Sequence, residues 1–370
     1  MSPRAESDAL HARARAFVRA FDRAKPMPEP FDVLAADLAR FQAAHVPGYR
    51  RLCEVHGVEA TTIACAEQAP AVPVDAFRLA NVFAFDVGDA CATFQTSGTI
   101  GGPRGTHRMR VLGTYDAAAL AMGRAMFVRD LPGPVVVVVV GPSREEAPDS
   151  SLAHMCALFA RTFGQAERVE STFFVRQGAL DLALLRQTVA GLRPDCPVLV
   201  LAASFGLVHL LDALRGGVMP LPARSRVMQT GGFKTRSREV APGELRRAVA
   251  HAFAIEERAV VGEYGMTELS SQFWESTLMD AGACQGVYVE PPWARVVAVD
   301  PETLRPVRAG DVGIARIEDL ANVDSAFAIL TRDRVRRVNG GFELLGRSLG
   351  APPRGCSIGL EEMLSSEQSV

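Results

Sequence analysis

The distribution of apolar residues predicts alternating strands and helices through the middle of the chain. Residues 135–140 are six consecutive valines, which is typical of a strand buried on both faces. Strands are predicted at this run and at 172–175, 198–202, 226–228 and 258–261. Helices are predicted before and between them, at 115–128, 151–163, 180–192, 206–214 and 242–253. Strands separated by helices of this length indicate an α/β fold with a largely parallel sheet.

The two ends of the chain have other patterns. Residues 1–50 are predicted to be helical around a loop at 26–30, with an apolar stripe from Leu10 to Phe21. After residue 285, short strands are predicted at 287–289, 294–299, 313–317, 327–330 and 334–338. Together with turn signals such as Asn339-Gly340-Gly341, they predict a β-rich subdomain.

Composition and charge exclude some classes of partner. The 370 residues are 48% apolar and 22% charged, and the formal net charge is −2. Nothing in this balance favours nucleic acid or an anionic membrane as a partner. The longest purely apolar run is far shorter than a membrane span. The seven cysteines include no C-x-x-C pair, which favours a reduced, cytoplasmic setting with most cysteines buried as small apolar side chains.

A glycine-rich stretch at residues 96–107 is the first candidate for ligand binding. Its sequence is Thr-Ser-Gly-Thr-Ile-Gly-Gly-Pro-Arg-Gly-Thr-His. Glycines let the backbone approach a ligand, successive N–H groups can cradle an anion, and an arginine fork fits phosphate oxygens. The stretch has neither the G-K-[ST] ending of a Walker loop nor a G-x-G-x-x-G fingerprint. By composition alone it is equally compatible with a surface loop.

A second candidate follows the strand predicted at 258–261. Residues 261–268 are Val-Gly-Glu-Tyr-Gly-Met-Thr-Glu. A tyrosine ring can stack on a nucleobase, a threonine can contact a phosphate, and a carboxylate can hold a magnesium ion that bridges phosphates. On its own the segment is also compatible with a tight turn. Because ligands bind at the carboxyl ends of strands, this segment, the 96–107 stretch and Gly231-Gly232 can converge on one crevice.

In their order along the chain, these stretches resemble the motifs of the adenylate-forming superfamily, which includes acyl-CoA synthetases and peptide-synthetase adenylation domains. Residues 96–104 resemble its phosphate loop, and residues 264–268 resemble its adenylate-binding motif. Residues 330–333, Leu-Thr-Arg-Asp, resemble its ribose-binding motif, and Gly346-Arg347 resembles the start of its C-terminal hinge.

Further segments resemble one branch of that superfamily, the acyl-protein synthetase family, typified by the fatty-acid-activating subunit of the bacterial bioluminescence fatty acid reductase complex. These segments are 229–234, 263–273, 291–293, 342–347 and 354–358. In that family a cysteine at the position of Cys356 carries the acyl group as a thioester. A nearby cation such as Arg354 increases the thiolate fraction of a cysteine, and the thiolate is the nucleophile.

The resemblance implies a fold and a set of site residues. It implies an α/β adenylate-forming domain with mixed or parallel sheets flanked by helices, a β-rich subdomain and a truncated C-terminal segment. The adenylation core would be 1–330, with the β-rich subdomain near 285–330, and 331–370 would form a short hinge and an acyl-accepting tail. ATP and Mg²⁺ are the implied cofactors, with Glu268 as the metal ligand and Ser204 and Phe205 in the acyl pocket. The implied ATP- and AMP-binding residues are Thr96, Ser97, Gly98, Thr99, Gly101, Gly102, Gly231, Gly232, Tyr264, Gly265, Met266, Thr267, Asp333 and Arg347.

Departures from the superfamily pattern change the chemistry that is expected. The usual lysine of the phosphate loop is Arg104, which keeps the charge and is expected to be catalytic, like Cys356. The usual ribose-motif glycine is Arg332. Only 23 residues follow Arg347, and none is lysine, so ligation to coenzyme A by a rotating C-terminal domain is not expected. Lys234 is the candidate for the missing catalytic charge at the α-phosphate, and the alternative is a solvated lysine.

The sequence therefore predicts an AMP-forming acid–thiol ligase. It would activate a fatty or related carboxylic acid, take the acyl group onto Cys356, and exchange it with a reductase-like or carrier protein. Two alternatives stay open. An acyl- or aryl-CoA ligase of the phenylacetate type shares the nucleotide motifs, and a non-catalytic adenylate-binding subunit would explain the altered ribose motif and the short C-terminal segment.

Overall fold

Helices and strands follow one another along the chain largely as the apolar pattern predicts. The computed structural model describes residues 2–97, 103–131, 133, 135–164, 172–232, 238, 240–280, 282–348 and 363. The α-helices are α1 (Pro3–Asp22), α2 (Phe31–His45), α3 (Pro47–Val55), α4 (Ala76–Leu79), α5 (Leu112–Gly123), α6 (Ser151–Phe163), α7 (Leu182–Ala190), α8 (Ser204–Leu214) and α9 (Pro242–Phe253). The strands are β1 (Val72–Pro73), β2 (Ala92–Gln95), β3 (Thr106–Met109), β4 (Val136–Val140), β5 (Val175–Arg176), β6 (Ala179–Leu180), β7 (Val198–Ala203), β8 (Arg226–Thr230), β9 (Val260–Tyr264), β10 (Phe273–Glu275), β11 (Val287–Val289), β12 (Ala294–Val299), β13 (Val312–Asp319), β14 (Ala328–Val338) and β15 (Gly341–Arg347).

The chain forms two compact units. The first unit consists of Met1–Ala121, Met266–Gln272 and Val287–Val370, and the second consists of Met122–Gly265 and Phe273–Gly286. The chain therefore passes from the second unit back to the first between Gly265 and Met266, in the middle of the predicted adenylate-binding motif.

The second unit is built on a mostly parallel sheet in the order β10-β9-β8-β7-β4. Strands β4, β7, β8 and β9 are parallel, and β10 is antiparallel to β9. All residues of β4 and β7 are buried, as expected for strands covered on both faces. Leu185, Leu207 and Val249, from helices α7, α8 and α9, share one buried cluster with Val138 of β4.

The first unit has an antiparallel sheet in the order β12-β13-β14-β15-β11, with β1 parallel to β14. Helices α1, α2 and α3 bury their apolar faces, and Phe17, Phe41 and Tyr49 are almost inaccessible to solvent. The ring of Phe21 meets Trp293 edge to face at 5.5 Å between centroids. The N-terminal helices are therefore part of this unit's core.

A buried polar cluster ties α1 to two other segments of the first unit. His11 pairs with Thr114 Oγ1 at 2.8 Å through Nδ1 and with Asp324 Oδ2 at 2.9 Å through Nε2. Ser7 also donates to Asp324, and Arg110 Nε lies 3.3 Å from it. Burial raises the pKa of Asp324, but His11, Ser7 and Arg110 more than compensate, so its pKa lies below the ordinary value. The carboxylate is thus held in its charged form.

The α/β class with mixed sheets and flanking helices is confirmed, and the differences lie in element boundaries and burial. The strand pieces predicted at 327–330 and 334–338 form one strand, β14, which also crosses the predicted boundary at 330/331. Gly346 and Arg347, predicted to begin the C-terminal hinge, are the last two residues of β15. Of the described cysteines, Cys53 and Cys156 are buried, but Cys91 and Cys284 are exposed, which the prediction of mostly buried thiols missed. No described helix combines the length and the apolar character that crossing a membrane requires.

Candidate active site

The glycine-rich stretch is the connection of a β-hairpin in the first unit. Strands β2 and β3 pair antiparallel, with Gln95 opposite Thr106. Beyond this pair, the backbone N–H of Thr96 donates to Gly105 O at 2.8 Å, and the N–H of Gly105 donates to Thr96 Oγ1 at 2.9 Å. The hairpin therefore closes the neck of the loop and fixes where the loop leaves and rejoins it.

Arg104 adds a second closure at the same neck. Its Nε donates to Thr96 O at 2.6 Å and its Nη2 to Gln95 O at 3.3 Å. A guanidinium fork can hold two carbonyls at once, whereas an ammonium group is a single point charge. Arg104 was predicted to keep the positive charge of the phosphate loop. In the structure its guanidinium closes the neck of that loop.

Glu268 lies against the base of this loop. A Cβ added to Gly105 would lie 3.3 Å from Glu268 Oε1 and 3.1 Å from Thr96 Cγ2. Glycine is needed at this position because two side chains approach its backbone this closely. The structure therefore brings together Thr96 and Glu268, two predicted site residues from stretches about 170 residues apart.

His107 fixes the second motif to the hairpin. Its Nδ1 lies 2.9 Å from Thr267 O, and burial lowers the pKa of its imidazole to about 4 despite that hydrogen bond. The ring is therefore neutral near pH 7 and donates its Nδ1–H to the carbonyl. The hydrogen bond satisfies this buried ring nitrogen, and it holds Thr267 and Glu268 next to β3.

Among the buried polar atoms of this unit that have no hydrogen-bond partner in the described residues, two lie next to the two motifs. They are Ser97 Oγ, at the start of the loop, and Gln272 Oε1, after the second motif. A buried polar atom without a partner is costly, so such an atom in a loop of this composition fits a ligand that supplies the partner. Within the described residues no three His, Cys, Asp or Glu side chains are grouped as a metal site.

The ribose-like motif lies on β14 and its hairpin partner. Arg347 Nε donates to Asp333 Oδ1 at 3.2 Å, and the N–H of Asp333 donates to Thr331 Oγ1 at 3.0 Å. Arg332 points to Asp75, with which it forms an ion pair. The departure from glycine in this motif therefore leaves Asp333 paired with the predicted residue Arg347.

Met266 also belongs to the first unit, whereas the remaining described site residues belong to the second unit, at the carboxyl ends of its parallel strands. Ser204 begins α8 after β7, and its hydroxyl donates to Gly231 O at 2.8 Å and Thr230 O at 3.2 Å. Phe205 meets His209 edge to face at 6.5 Å between centroids, and Gly232 is exposed. The structure thus joins Ser204 to the Gly231-Gly232 turn.

Glu263 is a feature of this unit that the sequence analysis missed. Its side chain is buried at the end of β9, and Thr230 Oγ1 donates to it from β8. Burial raises the pKa of Glu263 to about 7, although the Thr230 hydrogen bond opposes the change. Its neighbour Tyr264 packs against Phe273, with ring centroids 5.9 Å apart. A single carboxyl within the run Val-Val-Gly-Glu-Tyr was the signal that could have revealed it.

Several predicted residues lie outside the described part of the chain. They are Gly98, Thr99, Gly101, Gly102, Lys234 and Cys356. Their predicted roles stay predictions.

Comparison with known proteins identifies a family and a fold. Residues 2–365 match the family model described as "LuxE: Acyl-protein synthetase". Among solved structures, 2-hydroxyisobutyryl-CoA ligase with 2-HIB-AMP and CoA in the thioesterification state is 17% identical, with a TM-score of 0.58 over 94% of this chain and 69% of that chain. An open conformation of the same ligase is 15% identical, with a TM-score of 0.55 over 84% of this chain and 74% of that one.

ATP-bound MatB from Rhodopseudomonas palustris is 15% identical, with a TM-score of 0.49 over 71% of this chain and 49% of its own. The chain therefore spans about half the length of that protein. No curated protein matches the chain. At such identities, the likeness to the hydroxyisobutyryl-CoA ligase establishes a common fold.

Proposed function

The chain belongs to the acyl-protein synthetase (LuxE) family, and on that basis we propose that it activates a carboxylic acid with ATP. A carboxylate oxygen attacks the α-phosphorus of ATP, the bond to pyrophosphate breaks, and an acyl-adenylate forms. The observation that carries this proposal is the contact of Glu268 with Gly105 at the neck of the β2–β3 loop.

The loop acts as a clamp for the β- and γ-phosphates. Thr96, Ser97, Gly98, Thr99, Gly101 and Gly102 supply backbone and hydroxyl donors, and Ser97 Oγ gains the partner that the described residues do not provide. The hairpin and Arg104 fix the neck at Thr96 and Gly105, so the donors at the neck are preorganised before the nucleotide arrives. Such preorganised donors account for most of the catalysis of phosphoryl chemistry.

Glu268 is the residue that would hold Mg²⁺, because a carboxylate beside a phosphate loop is the oxygen ligand this cation takes together with substrate phosphates. The ion would neutralise charge on the phosphate oxygens. His107 keeps Glu268 in position through Thr267, and because the imidazole is neutral it adds no competing cation there. Asp333, oriented by Arg347, accepts hydrogen bonds from the ribose hydroxyls, and Tyr264, Gly265 and Met266 contact the adenylate.

In the second step we propose that the acyl group moves to Cys356. The thiolate sulphur attacks the acyl carbon, a C–S bond forms, the C–O bond to the phosphate breaks, and AMP leaves. Lys234 supplies positive charge at the α-phosphate, and Ser204 and Phe205 line the acyl pocket. The thioester then passes to, or comes from, a reductase-like or carrier protein in a reduced cytoplasm.

Acid-dependent exchange of pyrophosphate into ATP tests the first step. Glu268→Gln should lower the exchange rate about 100-fold or more, because it removes the carboxylate charge beside Gly105 while the amide keeps the shape of the side chain. The matched control is Glu302→Gln, at an exposed loop position of the same unit, which should exchange at the wild-type rate.

Three outcomes of the exchange experiment separate the candidates. Exchange that depends on acid and on Glu268 supports the proposal. No exchange with any acid of a broad panel contradicts it and favours a non-catalytic adenylate-binding subunit. Exchange followed by free acyl-CoA, with coenzyme A present and independent of Cys356, favours a CoA ligase.

A further inference from the structure

Met363 is a fully buried residue in the C-terminal part of the chain. Its relative exposure is 0%, and it belongs to the first unit. It lies seven residues after Cys356. Its surroundings therefore bear on how the cysteine is held.

The contacts of Met363 are with helix α3. A Cβ added to Gly48 would lie 3.2 Å from Met363 Cε and 3.9 Å from Met363 Cβ. Gly48 is in the first turn of α3, where the missing side chain leaves room for the methionine. One turn later, Arg51 Nη2 donates to the backbone carbonyl of Met363.

These contacts hold both the side chain and the backbone of Met363. A buried thioether fills the space beside a glycine, and a charged donor satisfies the carbonyl. On the other side of Cys356, the N–H of Ser348 donates to Arg332 O at 2.9 Å, which holds the chain at the end of β15. Cys356 is thus eight residues from one fixed point and seven from the other.

We propose that Met363 is an anchor on α3 and that Cys356 takes the acyl group while this anchor is in place. The inference rests on the proposed thioester step. Seven residues span at most about 25 Å, so a docked Met363 confines the cysteine to a limited volume. We place the adenylate within this reach, where confinement raises the effective concentration of the thiol. Met363 is therefore a positioning residue, and it does not take part in the formation of the adenylate.

A disulfide can lock the proposed anchor. The 3.9 Å between the Cβ positions of residues 48 and 363 fits the Cβ spacing of a disulfide. The double variant Gly48→Cys/Met363→Cys should therefore form this bond under mild oxidation, as peptide mapping would detect. The locked protein should form the Cys356 thioester at a rate within about twofold of wild type taken through the same oxidation.

The opposite variant removes the anchor. Met363→Ala should slow single-turnover thioester formation on Cys356 about tenfold, because the thiol samples a larger volume. It should leave acid-dependent pyrophosphate exchange unchanged, which a general structural defect would not do. Met363→Leu should restore the rate, and Met27→Ala, at an exposed loop methionine, is the matched control.

Several results would overturn the anchor. These are a wild-type thioester rate in Met363→Ala, equal losses of exchange and thioester in that variant, or a locked protein that exchanges pyrophosphate but cannot acylate Cys356. Failure of the proposed thioester step looks different, because wild-type protein would then exchange pyrophosphate without acylating Cys356, and failure of acid activation would abolish the exchange itself. In that case the yield of the 48–363 disulfide still decides whether Met363 docks on α3.

Discussion

At the scale of single residues, two buried glutamates five positions apart have different neighbours. Glu263 is buried beside Thr230, and its burial favours the neutral carboxyl. Glu268 lies at the base of a loop whose glycine gives it room. Sequence reasoning could select Glu268 because it falls within a motif of known chemistry. Glu263 differs only in what surrounds it, which depends on the pairing of β8 with β9.

The pKa of Glu263 predicts a pH-dependent stability. Its pKa is about 7 in the folded chain and near 4.5 when unfolded, so the folded state binds the proton more tightly. The free energy of unfolding should therefore fall as pH rises from about 4.5 to 7. Glu263→Gln should remove this dependence. From pH 5 to pH 8, the free energy of unfolding of this variant should therefore increase by up to about 3 kcal/mol relative to that of wild type.

Chemical denaturation at pH 5 and pH 8 measures this difference. Asp319 is also buried, with its pKa raised to about 6, and contributes to both proteins alike, so the comparison isolates Glu263. Exposed Glu257→Gln is the control. An equal change with pH in wild type and Glu263→Gln would show that Glu263 is ionised in the folded protein.

Substitution of Arg104 distinguishes two roles of the cation at the phosphate loop: a fork that bridges two carbonyls, and a positive charge alone. If the fork that joins Thr96 to Gln95 is needed, Arg104→Lys should raise the KM for ATP about tenfold, because a lysine cannot hold both carbonyls. Exposed Arg193→Lys should have no effect. An unchanged KM for ATP in Arg104→Lys would mean that the charge alone matters.

At the scale of elements, helix α9 and strand β10 are joined by a buried ion pair. Arg246 Nη2 lies 2.7 Å from both carboxylate oxygens of Glu275. The same carboxylate accepts from the N–H of Gly262 at 2.7 Å and from the N–H of Gly286 at 2.5 Å. The Glu275 carboxylate therefore pairs with one cation and accepts hydrogen bonds from two backbone N–H groups of the second unit.

Glu275→Gln should destabilise this unit strongly. An amide cannot match the charge of Arg246 or accept at both positions, so the free energy of unfolding should fall by about 3 kcal/mol. Thermal and chemical denaturation measure it, with Glu257→Gln as the surface control. A loss no larger than that of the control would argue that the pair adds nothing to stability.

The elements themselves were mostly predictable, for a physical reason. The valines of β4 and the apolar faces of α6 and α9 carry their periodicity in the sequence, and α6 and α9 begin and end where it predicts. The single strand β14 was split because polar residues from Thr331 to Arg334 interrupt its apolar pattern. Thr331 and Asp333 are buried, and Arg332 is half-buried beside Asp75, which lies more than 250 residues earlier.

At the scale of the whole molecule, the predicted site residues are distributed over the two compact units. The hairpin loop and the 266–268 segment gather in the first unit, and the turns after β7 and β8 lie in the second. Because each motif is short and local, its place along the chain is readable from the sequence, and the motifs predict which stretches bind the nucleotide. Contacts between distant residues, such as Gly105 with Glu268 and Gly48 with Met363, needed the fold.

The most direct test of the account is the mass of the intact protein after incubation with ATP and a panel of carboxylic acids. Wild-type protein should gain one acyl group that hydroxylamine removes. Cys356→Ser should gain none while still releasing pyrophosphate, and Cys284→Ser, at an exposed cysteine, should behave as wild type. Full acylation of Cys356→Ser, or no acid-dependent mass in wild type, would contradict the account.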